Sequence, residues 1–104
     1  MNNYEILFLR SAGRELEEIT DNLSLFAGSK AADRIVKNIL ERIKDLKDNP
    51  YLGKSCDDII ANDNEYRRIV LKGKYLCFYR IVDSKIYIYH IVNGKRDYSK
   101  LFNL

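Results

Sequence analysis

Alternation of apolar and polar residues is clearest in the last third of the chain. Three short runs there, residues 66–71, 75–82 and 86–92, are rich in β-branched and aromatic side chains. Turn-forming residues separate them, Gly73-Lys74 between the first two runs and residues 83–85 between the last two. Because β-rich runs joined by short turns are typical of antiparallel hairpins, the pattern predicts a three-stranded meander.

The N-terminal part of the chain has a strand pattern followed by a helix pattern. Residues 4–9 form an apolar run that suits a strand better than a helix, and we expect it to be a fourth strand of the same sheet. Ser11 is the predicted N-cap of the first helix. From there the apolar residues recur at steps of three and four, which is the spacing of one helix face: Ala12, Leu16, Ile19 and Leu23.

A second helix follows a break at residues 27–29. Ser29 is its predicted N-cap, and residues 48–50 end it because the position before a proline disfavours helical backbone angles. Two amphipathic helices joined by a short turn form a hairpin, and its apolar side must cover one face of the sheet. We expect this packing to bury the stripe of the second helix along most of its length: Ala32, Ile35, Val36, Ile39, Leu40, Ile43 and Leu46.

The predicted fold belongs to the α+β class. Residues 51–65 show no clear period, so they are interpreted as a long surface loop. At 104 residues the chain is one domain, residues 1–104. The predicted order is an N-terminal strand, an α-helical hairpin and a three-stranded antiparallel meander, with both helices on one face of a four-stranded, mainly antiparallel sheet.

Composition and charge restrict the possible functions. The net charge is +3, but residues 66–104 hold nine basic and two acidic residues, which favours an anionic partner for the sheet. No run approaches the about 20 apolar residues of a membrane span, and residues 1–5 lack the pattern of a signal peptide. We expect Cys77 to pack in the sheet and Cys56 to lie on the surface, since their spacing fits no zinc site. These observations predict a cytoplasmic protein with no metal, no cofactor and no membrane contact.

Four pieces of the sequence carry a family resemblance, in this order: Asn49-Pro50 with Gly53, Tyr66-Arg67-Arg68, Tyr75 with Phe78-Tyr79-Arg80, and Ile88 with residues 93–98. With these pieces the chain resembles, over almost its whole length, the RelE/ParE family of toxins from bacterial type II toxin–antitoxin systems. The resemblance implies a cognate antitoxin, whose C-terminal segment wraps the toxin, and one of two targets. RelE-like members cut mRNA in the ribosomal A site, whereas ParE-like members act on DNA gyrase.

Two of the four roles of the ribonuclease pattern have no suitable residue in this chain. That pattern needs basic residues on the first meander strand, an arginine after the tyrosine that begins the second, an arginine in the tail and a terminal tyrosine or histidine. Leu76 stands at the second position, and Phe102, which has no proton to transfer, at the fourth. The resemblance therefore favours a ParE-like gyrase inhibitor without catalysis of its own. A ribonuclease using Arg68, His90, Arg96 and Tyr98, and a non-catalytic module that only binds the antitoxin, are the alternatives.

Candidate contact residues lie on the meander and at the hairpin turn. Arg80 interrupts an apolar strand, so it either pairs with Asp83 or Asp97 or contacts the target. Strand parity places His90 on one face with Ile86, Ile88 and Val92. Leu25 and Phe26 do not belong to the core stripe, and we expect them to contact the antitoxin. The candidate target-binding residues are Arg67, Arg68, Arg80, Lys95, Arg96 and Tyr98.

Overall fold

The computed structural model describes residues 3–56, 65–72 and 74–95. Its α-helices pair as a hairpin over one face of a sheet, as predicted. Two 3-10 turns, Asp45–Lys47 and Pro50–Leu52, connect the hairpin to the sheet. In chain order the elements are β1 (Glu5–Phe8), α1 (Arg10–Ala27), α2 (Ser29–Lys44), β2 (Lys54–Ser55), β3 (Tyr66–Leu71), β4 (Tyr75–Val82) and β5 (Lys85–Asn93).

The sheet has five strands in the order β1-β5-β4-β3-β2, so the predicted count of four is wrong. The meander β3-β4-β5 is antiparallel, and β1 pairs in parallel with the beginning of β5. The additional strand, β2, lies in what the sequence presents as a loop and pairs antiparallel with Arg67 and Arg68. Two residues are too few to show an alternation, which is why the pattern did not reveal this strand.

The main core lies between the hairpin and the sheet. Ala12, Ala32, Ile39, Ile43 and Leu46 are fully buried there, with Leu16, Ile19 and Ile35 packed against them at partial burial. Leu40, however, is 41% exposed, so the predicted stripe is wider than the surface that the sheet and α1 cover. A second, smaller cluster on the other face of the sheet contains Cys56, Phe78 and Val92. Cys56 is thus buried, and the expectation of a surface position is wrong.

Both helices begin without the predicted serine caps. The N-cap of α1 is Leu9, and Ser11 lies one residue inside the helix, where its hydroxyl donates to the Tyr89 carbonyl at 2.7 Å. The N-cap of α2 is Gly28, whose φ of 87° favours glycine, and Ser29 is the first helical residue. The hairpin turn is therefore a single glycine, and Ser11 ties α1 to β5 instead of capping the helix.

A β-bulge in β5 reverses the predicted alternation. Tyr79 pairs with Ile88 and Phe78 pairs with His90, which leaves Tyr89 as an extra residue. Beyond the bulge Ile91 joins the core under the helices, and Val92 belongs to the cluster on the opposite face. The prediction that Val92 shares a face with Ile86 and Ile88 is wrong, because strand parity holds only where no residue is inserted.

Candidate functional site

The end of the hairpin is joined to the sheet through the hydroxyl of Tyr79. This hydroxyl donates to the Pro50 carbonyl at 2.7 Å and accepts the Gly53 N–H at 2.9 Å, both inside the protein. Burial raises the pKa of the Tyr79 phenol above its usual range, and the Gly53 N–H partly opposes that effect. We call the segment Pro50–Gly53 with Tyr79 the Tyr79 corner.

Gly53 is required in this corner by lack of space. A Cβ added there would lie 2.6 Å from the Arg68 carbonyl oxygen and 2.7 Å from the Tyr79 hydroxyl. The first of these neighbours is backbone, which cannot move without disturbing the pairing of β2 with β3. The glycine in one of the four pieces of the family resemblance therefore has a steric cause in this chain.

The neighbouring arginines of β3 have different surroundings. Arg67 is half-buried, donates from Nη1 to the Gly53 carbonyl at 2.6 Å and lies over the Tyr51 ring, 4.7 Å from its centroid. Its charge is thus engaged by the Tyr79 corner. Arg68 is also half-buried, on the opposite face of the strand, and lines a cleft at the edge of the sheet.

Arg80 pairs with Glu65, and not with the predicted Asp83, within the described part of the chain. Its guanidinium lies 5.5 Å from the Tyr66 centroid and 5.9 Å from the Tyr89 centroid, and the two rings meet edge to face. Hydrogen bonding to the Tyr89 hydroxyl and the nearby Glu65 carboxylate raise the pKa of Arg80, against the lowering effect of burial. Asp97, the other predicted partner, lies outside the described residues.

His90 contacts α1. Its Nδ1 lies 2.9 Å from Glu15 Oε2, and Glu15 Oε1 accepts the Ile91 N–H at 3.0 Å. The Glu15 carboxylate thereby contacts both the Ile91 N–H and the His90 ring next to the bulge. Glu15 is a residue that sequence reasoning did not single out, because its partners lie 75 and 76 positions along the chain.

Leu76 has apolar surroundings on the sheet. It packs against the cluster of Cys56, Phe78 and Val92 on the face that the helices do not cover. This is the position at which the ribonuclease pattern requires a phosphate-binding arginine. No cation of β4 replaces it locally, since Arg80, four residues on, is held by Glu65 and two tyrosines.

The described chain ends at Lys95, which is exposed and donates its N–H to the Asn93 side chain at 2.9 Å. Arg96, Tyr98 and Phe102 lie outside the described residues, so the structure places none of these predicted site residues. Lys95 stands at the opposite end of β5 from Lys85, close to the β3–β4 turn, because the Gly94 N–H donates to the Lys74 carbonyl at 2.7 Å.

Large apolar side chains are exposed at the end of α1. Leu25 is 81% exposed and Phe26 is 89% exposed, which confirms that neither belongs to the core. We call Leu25 and Phe26 the hairpin tip. Phe26 also lines a groove of about 560 Å³ between α1 and the ends of β4 and β5, together with Ile19 and Leu23. The expectation that this surface contacts an antitoxin stays a prediction.

Neither a metal site nor a membrane-spanning helix is present in the described part of the chain. Over residues 3–56, 65–72 and 74–95, no three metal-binding side chains of histidine, cysteine, aspartate or glutamate lie close enough to hold an ion. Neither α1 nor α2 is long and apolar enough to cross a membrane. Burial raises the pKa of the Cys77 thiol, and Cys56 and Cys77 both lie inside the protein without a disulfide between them.

A solved structure and a family model are similar to this chain. The fold is similar to that of a chain from the structure "Chromosomal ParDE TA system from P. aeruginosa", with a TM-score of 0.74 and 21% sequence identity, covering 88% of this chain and 96% of that one. No curated protein gives a significant sequence match. Residues 6–98 match the family model described as "ParE toxin of type II toxin-antitoxin system, parDE". Since this match spans most of the sequence, the chain belongs to the ParE toxin family of type II toxin–antitoxin systems.

Proposed function

We propose that this toxin inhibits growth by binding DNA gyrase, without catalysis of its own, and that a cognate antitoxin neutralises it. The observation that carries the proposal is Leu76, which packs in an apolar cluster where a ribonuclease of this fold needs a phosphate-binding arginine. A leucine cannot neutralise a phosphate in a transition state. Removing one such preorganised charge or donor typically lowers a rate by about two to three orders of magnitude.

The surroundings of His90 and Arg80 support the same proposal. A general acid or base must reach the reacting atoms within hydrogen-bond distance. The His90 ring is turned toward Glu15 on α1, and the Arg80 guanidinium is held by Glu65 between two tyrosine rings. Both side chains are thus engaged in contacts within the protein, whereas inhibition by binding needs only an accessible surface.

An antitoxin partner follows from the family, and the hairpin tip is the surface to which we expect the antitoxin to bind. Leu25 and Phe26 are two large, adjacent, exposed apolar side chains, and exposed apolar patches often mark sites of protein–protein interaction. The toxin would act in the cytoplasm, where gyrase and its DNA are present. Its antitoxin would cover the tip and the adjoining groove with an amphipathic segment.

The experiment is induction of the toxin without its antitoxin. We expect gyrase-dependent DNA breaks and little mRNA cleavage in ribosomes. Arg96→Ala should abolish toxicity by removing a charge that target binding uses, and His90→Gln should largely retain toxicity because no proton transfer is required. Expression with the antitoxin controls for the folding of each variant.

Two results would contradict the proposal. Codon-positioned mRNA cleavage by purified toxin on programmed ribosomes, lost in His90→Gln or Tyr98→Phe, would establish the ribonuclease alternative. Antitoxin binding with no growth inhibition on induction would establish a purely regulatory binding module.

A further inference from the structure

Three exposed lysines lie at one end of the sheet, and only one of them is a predicted target-binding residue. Lys72 follows β3 and Lys74 precedes β4, so they flank the connection between these two strands. The Gly94 N–H donates to the Lys74 carbonyl at 2.7 Å, which brings Lys95, the next residue of the chain, to the same end of the sheet. We call Lys72, Lys74 and Lys95 the lysine cluster.

The charges of the lysine cluster are not paired by acidic residues of the described chain. No ion pair joins any of the three ammonium groups to an aspartate or glutamate there. The Lys74 ammonium lies 5.4 Å from the centroid of the Tyr75 ring, which supplies no net charge. Glu15 and Glu18 line the groove beside Lys74, but the other two lysines do not line it, and Glu15 is engaged by β5. The cluster therefore gives this end of the sheet a positive potential.

The backbone at Lys72 is a second, independent observation about the cluster. Among the described residues other than glycine, only Lys72 and Asp83 have a positive φ, at 51° and 56°. Aspartate is enriched in this conformation because its short side chain bonds to the local backbone, whereas lysine has no such compensation. A lysine at this position thus costs stability that a glycine or an asparagine would not. Strained positions concentrate at functional sites, and a use for the Lys72 charge explains why the strain is kept.

Phosphate groups are the partners that this arrangement suits best. An ammonium is a compact point charge without the planar fork of arginine, so it holds phosphates without selecting a base or a carboxylate geometry. Duplex DNA carries one negative charge per about 1.7 Å of its axis, which offers phosphates to several lysines at once. Protein surfaces usually carry their acidic residues interspersed with basic ones, which would repel part of the cluster.

We infer that the lysine cluster binds the phosphate backbone of a nucleic acid. The inference rests on the proposed function only in naming that nucleic acid as the DNA held by gyrase. There the three lysines attach the toxin to DNA beside its protein target, without reading the base sequence. Gyrase that carries DNA should therefore bind the toxin more tightly than gyrase alone.

The first arm of the test is the salt dependence of binding to a defined probe. A fluorescein-labelled DNA duplex of about 20 base pairs is titrated with the full-length toxin at several salt concentrations. Each phosphate contact contributes about −0.9 to the slope of log association constant against log salt concentration, so removing three contacts should make the slope shallower by about 2.7. The combined variant Lys72→Gln, Lys74→Gln and Lys95→Gln should also bind at least about tenfold more weakly at about 50 mM salt.

The matched charge variant combines Lys44→Gln, Lys47→Gln and Lys85→Gln. It removes the same number of positive charges from exposed positions away from the cluster. Lys85 begins β5, at the opposite end of that strand from Lys95, and the other two lie where α2 ends and the first 3-10 turn follows. Duplex binding should stay within about twofold of the unchanged protein, since surface charges separated by more than a Debye length are largely screened.

Substitutions at Lys72 separate the use of its charge from its effect on the fold. Lys72→Asn should raise the melting temperature, because asparagine adopts a positive φ with less strain, and should nevertheless weaken duplex binding about two- to fivefold. Lys72→Arg keeps the charge and should bind within about twofold of the unchanged protein. Circular dichroism and thermal unfolding of every variant establish that the fold is retained.

Three results of the duplex titration would overturn the inference. They are an unchanged salt slope in the Lys72–Lys74–Lys95 variant, an equal loss of binding in the matched charge variant, and a Lys72→Asn protein that is more stable but binds the duplex as before. A single-stranded RNA of the same length is the competitor. Displacement of the duplex by much less RNA than unlabelled duplex would identify RNA as the source of the phosphates and contradict the choice of gyrase-held DNA.

The second arm measures binding of the unchanged toxin to purified gyrase with and without DNA. Tighter binding in the presence of DNA, lost in the Lys72–Lys74–Lys95 variant, is the expected result. No binding to gyrase in either form would contradict the proposed function, while the duplex titration still decides the role of the cluster. An equal loss of binding to DNA-free gyrase in that variant would show that the lysines pair with an acidic protein surface, which overturns the inference but not the proposed function.

Discussion

The Tyr79 corner and the hairpin tip lie at opposite ends of α2 and differ in how their side chains are satisfied. In the corner the Tyr79 hydroxyl, the Pro50 carbonyl and both backbone groups of Gly53 are hydrogen-bonded inside the protein. At the tip Leu25 and Phe26 extend into solvent with no apolar side chain over most of their surface. One region has its polar groups paired within the protein, and the other has apolar side chains that lie exposed in the described structure.

This difference separates residues that hold the fold from residues available for binding. Arg67 belongs to the first group despite its charge, because its guanidinium is bonded to Gly53 and stacked on Tyr51. Phe26 belongs to the second group despite being apolar. Residue type alone would have assigned Arg67 to binding and Phe26 to the core. Burial and hydrogen bonding are therefore the better criteria for separating the two groups.

The largest expected effect on stability is that of a substitution in the main core, between the helical hairpin and the sheet. Ile39 is fully buried on α2, and Ile39→Ala should lower the free energy of unfolding by roughly 2–5 kcal/mol through lost burial and a cavity. Leu40→Ala, on the same helix but 41% exposed, is the matched control and should cost less than about 1.5 kcal/mol. Urea denaturation measures both. Equal costs would mean that α2 packs with another face toward the sheet.

Substitution of Gly53 tests whether the corner is as closely packed as its geometry indicates. Gly53→Ala should lower the free energy of unfolding by about 1–3 kcal/mol, because its Cβ meets the Arg68 carbonyl at 2.6 Å and the backbone must shift. Gly13→Ala is the control, since a Cβ at that helical position has nothing within 4 Å and should stabilise by up to about 1 kcal/mol. A destabilisation of the same size at both positions would show that the corner has no less room for a Cβ at Gly53 than the helix has at Gly13.

Removing the Tyr79 hydroxyl tests the hydrogen bonds of the corner. Tyr79→Phe leaves the Pro50 carbonyl and the Gly53 N–H without their buried partner, and should cost about 1–3 kcal/mol at pH 7. Because the pKa of Tyr79 is raised in the folded state above its ordinary value of 10.0, the folded protein retains this proton at a pH where the unfolded chain loses it. Stability should therefore fall as pH rises above 10, by up to about 1.4 kcal/mol per pH unit from this group.

The same variant supplies the control for that pH dependence. Tyr79→Phe should show a shallower loss of stability than the unchanged protein between pH 10 and pH 11, measured by urea denaturation in matched buffers. Parallel curves for the two proteins would mean that the hydroxyl ionises as easily in the folded chain as in the unfolded one.

The smallest effect on stability is expected at the hairpin tip. Phe26→Asp should change the free energy of unfolding by no more than about 0.5 kcal/mol, because Phe26 is 89% exposed. Affinity for the antitoxin should nevertheless fall by about tenfold or more, as for a buried aromatic anchor of an interface. Isothermal titration calorimetry with the purified antitoxin measures this. Lys85→Glu, at an exposed position at the start of β5, is the control and should leave the affinity unchanged. Unchanged affinity would place the antitoxin elsewhere.

Local pattern was sufficient to predict both helices and four of the five strands. The step of three and four residues identified both helices, and short β-rich runs separated by turns identified β3, β4 and β5. These signals are contained in windows of a few residues, because one face of a helix or strand packs on the core and the other faces water. The exposure of Leu25 and Phe26 was predictable for the same reason, since they do not share the helical spacing of the stripe.

Only the tertiary structure decided how distant segments are joined. The Tyr79 hydroxyl meets Gly53 across 26 positions, Ser11 meets Tyr89 across 78, and Glu15 meets His90 across 75. The bulge at Tyr89 and the two-residue strand β2 likewise depend on which strand lies alongside, and the bulge determines the face of Val92. The sequence by itself determined the helix stripe that is buried at Ile39 and Ile43, but it misplaced Leu40 and Cys56. Strand register and long-range hydrogen bonds, which leave no local periodicity, decided which polar groups remain available to a partner.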